Sequence, residues 1–278
     1  MSERIDAHQH FWDPARGDYG WMKPEMTALY RPFGPDDLAP LLEAGGVQGT
    51  VLVQAAPTLA ETDYMLAVAD SCDAVRAVVG WIDFTDPSHR LQLERFARHP
   101  KFRGVRPMIQ DIADVNWMMH RNLDWAFAAL IDLDLTFDAL THPRHLPNLM
   151  QLLLRWPDLR VVIDHASKPA IRDRAFEPWA ADIGLIADGT NALCKLSGLV
   201  TEAKPDWSVA DLRPYVDHLL GSFGAGRLMF GSDWPVCTLA SSYQRWVDAA
   251  ETLVGSCSAG ERLAIFGGNA AQFYRLPA

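Results

Sequence analysis

Residues 49–82 read GTVLVQAAPTLAETDYMLAVADSCDAVRAVVGWI, and this stretch predicts the architecture of the chain. An apolar, β-branched run at Gly49–Gln54 predicts a strand, and the next such run lies at Ala74–Ile82. Between them, the amphipathic pattern of Asp63–Ala69 predicts a helix. A strand, a helix and a second strand in this order indicate a parallel βαβ unit.

The same alternation extends in both directions along the chain. Six further strand-like runs lie at Arg4–Ala7, Phe102–Arg106, Leu135–Ala139, Arg160–Asp164, Ala192–Leu196 and Arg227–Phe230. Helical patterns also occur at Asn122–Leu130 and Leu146–Leu154. Eight strands alternating with helices predict an α/β fold, a (β/α)8 TIM-like barrel forming one domain over residues 1–278. A doubly wound open sheet is the alternative, but no G-x-G-x-x-G follows any strand.

Composition narrows the classes of partner and compartment. Of 278 residues, 49% are apolar, so a large core can be buried, and the formal net charge is -10. An acidic chain of this kind argues against nucleic acid and anionic membranes, because both require a basic surface. Four cysteines without C-x-x-C or zinc-finger spacing predict buried, reduced thiols and a cytoplasmic protein. We find no apolar signal-like run at the start and no stretch of about 18 apolar residues.

Polar residues follow the predicted strands at the end where barrels carry their active sites. They are His8, His10, Gln54, Asp83, Arg106, Asp138, His165, Lys168, Ser197 and Asp233. No G-x-S-x-G elbow is present, and no cysteine lies in a matched His motif. Water activated by a metal or a base is therefore the favoured mechanism class.

The two ends of the chain carry the strongest candidates. His8 and His10 are two residues apart, so in an extended segment both imidazoles face the same side and could bind a divalent metal or a polarised carbonyl. Asp233, in Gly231–Pro235, could ligate a metal or act as a general base. The alternatives are two surface histidines and an aspartate that caps a helix.

Three cationic or imidazole side chains complete the predicted site. His165 could stabilise an oxyanion, Lys168 could neutralise substrate charge, and Arg106 could hold a carboxylate, lactone or hydroxyl oxygen. Their alternatives are a structural loop histidine, a solvated lysine, and an Arg106 ion pair with Asp83 or Asp138.

Aromatic residues also cluster near the first and last loops, where they could pack on sugar rings or simply fill the core: Phe11, Trp12, Tyr19, Trp21 and Trp234. His142 and His145 are interpreted as part of a loop that leads into the next helix.

Five motifs together resemble the amidohydrolase superfamily, in particular its branch of sugar lactonases (the amidohydrolase 2 group, with L-fuconolactone and L-rhamnonolactone hydrolases). They are Asp6–Trp12, Gly104–Arg106, Val162–Pro169, Leu196–Leu199 and Phe230–Pro235. The resemblance implies a distorted (β/α)8 barrel. Binuclear members carry a bridging carboxylated lysine at the fourth strand, where this chain has Arg106, and a histidine at the fifth, where it has Phe137–Ala139. The resemblance thus implies either one loosely held divalent ion, zinc, on His8, His10 and Asp233, or none.

This resemblance also implies a reaction, the hydrolysis of an aldonolactone such as L-fuconolactone to the sugar acid. Asp233 would take a proton from water, while His165, with Arg106 or a metal, would stabilise the oxyanion. The residues expected to contact the sugar are His8, His10, Gln54, Arg106, Lys168, Trp12 and Trp234. The alternatives are a hydrolase of an aromatic or dicarboxylate lactone, a related decarboxylase, and a non-catalytic sugar- or metal-binding barrel.

Overall fold

The computed structural model describes residues 3–276, in which eight parallel strands form one sheet in chain order. The strands are β1 (Ile5–Gln9), β2 (Gly49–Val53), β3 (Val75–Gly80), β4 (Phe102–Val105), β5 (Thr136–Ala139), β6 (Arg160–Ile163), β7 (Leu193–Leu196) and β8 (Leu228–Phe230). The sheet curls into a nearly closed barrel, so the predicted (β/α)8 fold is confirmed. Each predicted strand matches an observed one within about two residues at either end, the scatter expected of such boundaries.

Helices alternate with the strands and cover the outside of the barrel. They are α1 (Pro35–Gly45), α2 (Leu59–Ser71), α3 (Arg90–Ala97), α4 (Asp124–Asp132), α5 (Leu146–Arg155), α6 (Trp179–Gly189), α7 (Leu199–Glu202), α8 (Val209–Phe223), α9 (Tyr243–Leu253), α10 (Ala259–Leu263) and α11 (Asn269–Phe273). The helical patterns predicted at Asp63–Ala69 and Leu146–Leu154 lie within α2 and α5. The pattern at Asn122–Leu130 begins in a short 3₁₀ turn and continues into α4.

The barrel closes where the two ends of the chain meet. The backbone N–H of Asp233 donates to the carbonyl of His8 at 2.8 Å, and the N–H of His10 donates to the carbonyl of Trp234 at 2.7 Å. These bonds bring residues more than 220 positions apart into one corner of the barrel mouth. The first strand extends to Gln9, so His8 lies inside β1 and does not follow it as the sequence predicted. The pleat of the extended chain still directs His8 and His10 to the same side.

A separate apolar cluster fills the opposite end of the barrel. Inward-facing aliphatic residues of the strands, among them Val51, Val79 and Val162, pack against Phe273, the last residue of α11, and the adjacent Tyr274. The end of the chain therefore covers the amino-terminal side of the barrel and leaves the carboxyl-terminal side for function.

Two predictions from composition can be compared with the structure. All four cysteines are free, but only Cys194 and Cys237 are buried, whereas Cys72 and Cys257 are partly exposed. Among residues 3–276, none of the helices is long and apolar enough to cross a membrane.

Candidate active site

A cavity of about 210 Å³ opens at the carboxyl-terminal end of the barrel. It is lined by His10, Trp12, Trp21, Ala55, Arg106, Met108, Gln110, Asp111, Leu140, His165, Lys168, Asp233 and Val236. Six residues that the sequence predicted for the site line this cavity: His10, Trp12, Arg106, His165, Lys168 and Asp233. His8, Gln54 and Trp234 lie behind the cavity wall, and all three are buried.

The corner between β1 and β8 brings two histidines and one carboxylate together. Nε2 of His8 and Nε2 of His10 are 3.2 Å apart, and Oδ1 of Asp233 lies 3.2 Å from the His10 nitrogen. Oδ1 is also 3.7 Å from Nε2 of His8. Burial would raise the pKa of Asp233, but His165, His10 and His8 outweigh it and hold that pKa below its usual range. Asp233 is therefore an ionised carboxylate in this corner.

The tautomer of His10 follows from one contact. Its Nδ1 lies 2.7 Å from the carbonyl oxygen of Val53, and a carbonyl can only accept, so Nδ1 carries the proton. Nε2 of His10 then offers a lone pair toward both His8 and the carboxylate of Asp233. Two acceptors that face each other at 3.2 Å require a proton or a cation between them.

This donor set fits a divalent metal ion. Zinc bonds of 2.0–2.1 Å in a tetrahedral site place neighbouring ligand atoms about 3.3 Å apart. The three observed separations among His8, His10 and Asp233 are 3.2, 3.2 and 3.7 Å. These side chains could therefore hold a metal ion, while its identity stays a prediction.

The backbone at Asp233 favours this arrangement. Asp233 has a φ of 57°, a left-handed conformation that aspartate tolerates better than most residues. Gly231 lies directly against His8, because a Cβ there would come within 2.7 Å of the His8 Cβ. The following 3₁₀ turn, Val236–Leu239, begins without a side-chain cap. Asp233 thus directs its carboxylate at the histidines and does not cap a helix.

A left-handed turn after β6 presents His165 and Lys168. The four residues His165–Lys168 have φ values between 49° and 60°, an arrangement that L-residues rarely adopt in succession. The indole N–H of Trp179 donates to the carbonyl of Ala166 at 2.7 Å and helps to hold the turn. Strained backbone of this kind clusters at functional sites.

The ring of His165 is fixed from two sides. Its Nδ1 lies 2.8 Å from the hydroxyl of Ser197, and its Nε2 lies 3.8 Å from Oδ1 of Asp233. Gly198 packs against the ring so closely that a Cβ there would come within 2.6 Å of it. Burial lowers the pKa of His165 to about 4, although Asp233 opposes that shift. A neutral imidazole therefore faces the cavity at neutral pH.

Arg106, which follows β4, is held by Gln54, which follows β2, two strands away in the sheet. Its Nη2 donates to the carbonyl of Gln54, and the side-chain amide of Gln54 donates to the carbonyl of Arg106 at 2.7 Å. Nη1 lies 3.3 Å from Nε2 of His8 and 3.5 Å from Oδ2 of Asp164. The charge partner is thus Asp164, and neither Asp83 nor Asp138, the two partners weighed from the sequence, fills that role. Gln54 orients Arg106 from behind the cavity wall.

A second group of charged residues lies beneath the cavity, and the sequence analysis missed its central residue, Lys195. Lys195 of β7 is fully buried, and its Nζ lies 2.6 Å from Asp138, 3.0 Å from Asp164 and 3.2 Å from Nδ1 of His8. Tyr274 donates its hydroxyl to Asp138 at 2.6 Å. Asp138, expected at the barrel mouth, is therefore inside the barrel. The available signal was a lysine within an apolar run predicted to be a strand.

The long loop after β1 supplies the aromatic wall. Trp12 and Trp21 line the cavity, with ring centroids 5.6 Å apart and planes nearly perpendicular. The indole N–H of Trp21 donates to the carbonyl of Ala55 at 2.7 Å. Glu61 accepts from the N–H of Ala55 at 3.1 Å and from the hydroxyl of Tyr19 at 2.8 Å. This buried carboxylate thus ties the loop to α2.

His142 and His145 lie in the short turn before α5, as the sequence predicted. The backbone N–H of His142 donates to Nδ1 of His145 at 3.0 Å, which stabilises the turn. Neither residue is among those that line the cavity.

Comparison with known proteins agrees with this architecture. The chain matches the family model described as Amidohydrolase over residues 5–276. It is 46% identical over 280 residues to an L-fucono-1,5-lactonase of Burkholderia ambifaria, covering 99% of this chain and 97% of that protein. An L-fucono-1,5-lactonase of Burkholderia multivorans is 40% identical over 294 residues, covering 99% and 96%. A crystal structure of an amidohydrolase from Burkholderia multivorans with bound zinc superposes with a TM-score of 0.94 at 39% identity, covering 99% of this chain and 100% of that one.

Proposed function

The chain belongs to the amidohydrolase family, and from that premise we propose that it is a lactonase that opens a sugar lactone to the sugar acid. The observation that carries the proposal is the near full-length similarity, at 46% and 40% identity, to two L-fucono-1,5-lactonases. The substrate is an aldonolactone, with L-fucono-1,5-lactone as the first to test. Lactones are cyclic esters, so the enzyme is a hydrolase of carboxylic ester bonds.

Asp233 is the general base of the proposed reaction. Its carboxylate is ionised and lines the cavity, so it can accept a proton from water as the water oxygen bonds to the lactone carbonyl carbon. The depressed pKa makes Asp233 a weak base that keeps its charge to a lower pH than an ordinary aspartate does. Positioning of the water therefore contributes more to the rate than basicity does.

His165 and Arg106 stabilise the negative charge that develops on the carbonyl oxygen. If the hydroxyl of Ser197 donates to Nδ1 of His165, the imidazole proton lies on Nε2, which faces the cavity as a donor. Arg106 also lines the cavity, and its planar guanidinium carries N–H donors that suit an oxyanion. Collapse of the intermediate breaks the bond between the carbonyl carbon and the ring oxygen. The ring oxygen then takes the proton from Asp233, so one lactone and one water give one hydroxy acid.

The proposed cofactor is one divalent ion, zinc, held by His8, His10 and Asp233. When bound, such an ion supplies Lewis-acid polarisation of a carbonyl. His10 contributes the lone pair of Nε2, because its contact with Val53 keeps the proton on Nδ1.

The walls of the cavity suit a sugar lactone. Trp12 and Trp21 offer aromatic faces to ring C–H groups, while Lys168 and Gln110 offer donors to hydroxyl oxygens.

We also assign the protein to the cytoplasm, because four free cysteines suit a reducing compartment.

A panel of lactones with a pH-indicator readout tests this function, with and without a chelator. It includes 1,5- and 1,4-aldonolactones, an aromatic lactone and an aromatic carboxylic acid, which cover the alternative hydrolase and decarboxylase. Asp233→Asn is expected to lower kcat by about 10²–10⁴-fold. The exposed Asp188→Asn is the matched control and should behave as the wild type. Near-normal turnover by Asp233→Asn, or no turnover of any sugar lactone above its spontaneous opening, would refute the proposal.

A further inference from the structure

We propose that Asp111 is a specificity-determining residue, whose carboxylate accepts a hydrogen bond from a ring hydroxyl of the sugar lactone and repels lactones that carry a carboxylate. The proposal rests on the proposed lactonase function and concerns which lactones the cavity admits. Asp111 lines the cavity and belongs to none of the motifs that indicated the site.

Four aspartate, lysine or arginine residues line the cavity, and two of them are engaged by other groups. Arg106 lies 3.5 Å from Oδ2 of the buried Asp164, and the carboxylate of Asp233 lies among imidazoles. Asp111 and Lys168 line the same cavity, and among residues 3–276 neither has an ion-pair partner. These two side chains are therefore the charges available to an arriving substrate.

The backbone that carries Asp111 is held from a neighbouring loop. Asp111 ends the 3₁₀ turn Ile109–Asp111, which follows β4. The backbone N–H of Gln110 donates to the carbonyl of Leu140, which follows β5, at 3.1 Å. Arg144 donates to the carbonyl of Gln110, also at 3.1 Å. The carboxylate of Asp111 thus extends from a fixed turn, although Asp111 itself is exposed at the rim.

A sugar lactone requires acceptors from the cavity, because each of its hydroxyl groups is a donor that loses water on binding. The carboxylates that line the cavity are those of Asp111 and Asp233. Since Asp233 is assigned to the attacking water, Asp111 is the carboxylate left for the sugar. Nε2 of Gln110 lies 3.5 Å from Oδ2 of Asp111, and Oε1 of Gln110 is buried without a hydrogen-bond partner among residues 3–276. Gln110 thus offers a second acceptor beside the carboxylate.

The same carboxylate discriminates between neutral and anionic lactones. A carboxyl group on the substrate would meet the negative charge of Asp111 at the rim. Nearby His142 does not offset this charge, because burial lowers the pKa of His142 to about 4 and leaves its ring neutral at neutral pH. Repulsion by an exposed charge is modest and is weakened by salt. Asp111 therefore opposes the dicarboxylate lactone that the sequence left as an alternative substrate.

Asp111→Ala removes both the acceptor and the charge. We expect kcat/KM for L-fucono-1,5-lactone to fall about 10–100-fold, the scale of a hydrogen bond to a charged group, and mainly through KM. δ-Valerolactone has the same ring without hydroxyls, so its kcat/KM should stay at the wild-type value. Asp114→Ala is the matched control, because Asp114 is exposed in the same loop and is not among the residues that line the cavity.

Asp111→Asn keeps an acceptor oxygen and removes only the charge. L-galactono-1,4-lactone and galactaro-1,4-lactone differ in that a carboxylate replaces a hydroxymethyl group. We expect the preference of the wild type for the neutral lactone to fall about 5–10-fold in Asp111→Asn. Added salt should reduce this preference in the wild type and leave it unchanged in Asp111→Asn. A purely structural role of Asp111 would not produce this salt dependence.

A wild-type kcat/KM for L-fucono-1,5-lactone in Asp111→Ala, or an equal loss with δ-valerolactone, would overturn the proposed hydrogen bond. An unchanged preference in Asp111→Asn would overturn the proposed repulsion. Calorimetry with L-fucono-1,5-lactam, a ring amide with the same hydroxyls, measures binding without turnover. If the wild type opens no sugar lactone, the proposed function fails, and the affinity of Asp111→Ala for the lactam still decides the role of Asp111.

Discussion

Two groups of buried charged residues occupy the same barrel and differ in what faces them. The cavity-facing group is His10, His165 and Asp233, whose side chains line the open end. The sealed group is Asp138, Asp164 and Lys195, all of them fully buried. In the sealed group opposite charges meet within 3.0 Å, whereas the ion-pair partners of the Asp233 carboxylate among residues 3–276 are imidazoles. Buried charged residues with oppositely charged partners thus stabilise the fold. Those without such partners are available for chemistry.

The sealed group should show the largest effect on stability. Lys195→Met leaves Asp138 and Asp164 without their shared cation, and we expect it to lower the free energy of unfolding by about 3–5 kcal/mol. Urea denaturation followed by circular dichroism measures this loss. Lys168→Met makes the same substitution in a partly exposed lysine at the cavity and should leave the unfolding free energy nearly unchanged.

A double variant that keeps the net charge separates the effect of charge pairing on stability from that of packing. Asp138→Asn/Lys195→Met removes one charge of each sign, so it should lose clearly less stability than Lys195→Met alone. Equal losses in the single and double variants would mean that packing of the lysine stem, and not charge pairing, holds the sealed group together.

The same difference explains which residues the sequence could reveal. His10, His165 and Asp233 stand beside turn residues after their strands, and His8 is the second-last residue of β1, so position near a strand end alone suggests function. Lys195 occupies the middle of the four-residue strand β7, and so short a strand does not show by its pattern which side chains face inward. Asp138 was noticed, but its partner Tyr274 comes from the far end of the chain and follows only from the fold. The eight strands were predictable because each is a local apolar run. Contacts between side chains far apart in the chain could not be predicted from such runs.

Within the cavity-facing group, a displaced His165 ring should lower activity more than backbone strain at a left-handed glycine does. Gly198→Ala places a Cβ against the His165 ring, which must move, and we expect kcat for lactone opening to fall about 10–100-fold. Gly46→Ala is the matched control, because Gly46 has a similar φ of 62° and nothing within 4 Å of the added carbon. Steady-state kinetics of both variants separates the two effects. If both lose activity equally, the contact with His165 is irrelevant.

Glu61 provides the smallest test, because it is sealed like Asp164 but, in the part of the chain that the structure describes, has no cation at hydrogen-bond distance. Arg16 is 3.6 Å away, and burial raises the pKa of Glu61 to about 7, whereas Lys195 and its neighbours hold the pKa of Asp164 well below its usual range against the effect of burial. The folded protein therefore binds a proton at Glu61 that the unfolded chain, with a pKa near 4.5, has already released. Between about pH 4.5 and 7 this group makes the free energy of unfolding fall as the pH rises, by at most about 1.4 kcal/mol per pH unit.

Glu61→Gln should remove this contribution and flatten the dependence of stability on pH within that window. Urea denaturation at several pH values measures the slope, and the exposed Glu43→Gln serves as the control with a wild-type slope. If Glu61→Gln keeps the wild-type slope of unfolding free energy against pH, Glu61 is already ionised below pH 7. The lack of a paired cation would then not distinguish Glu61 from Asp164.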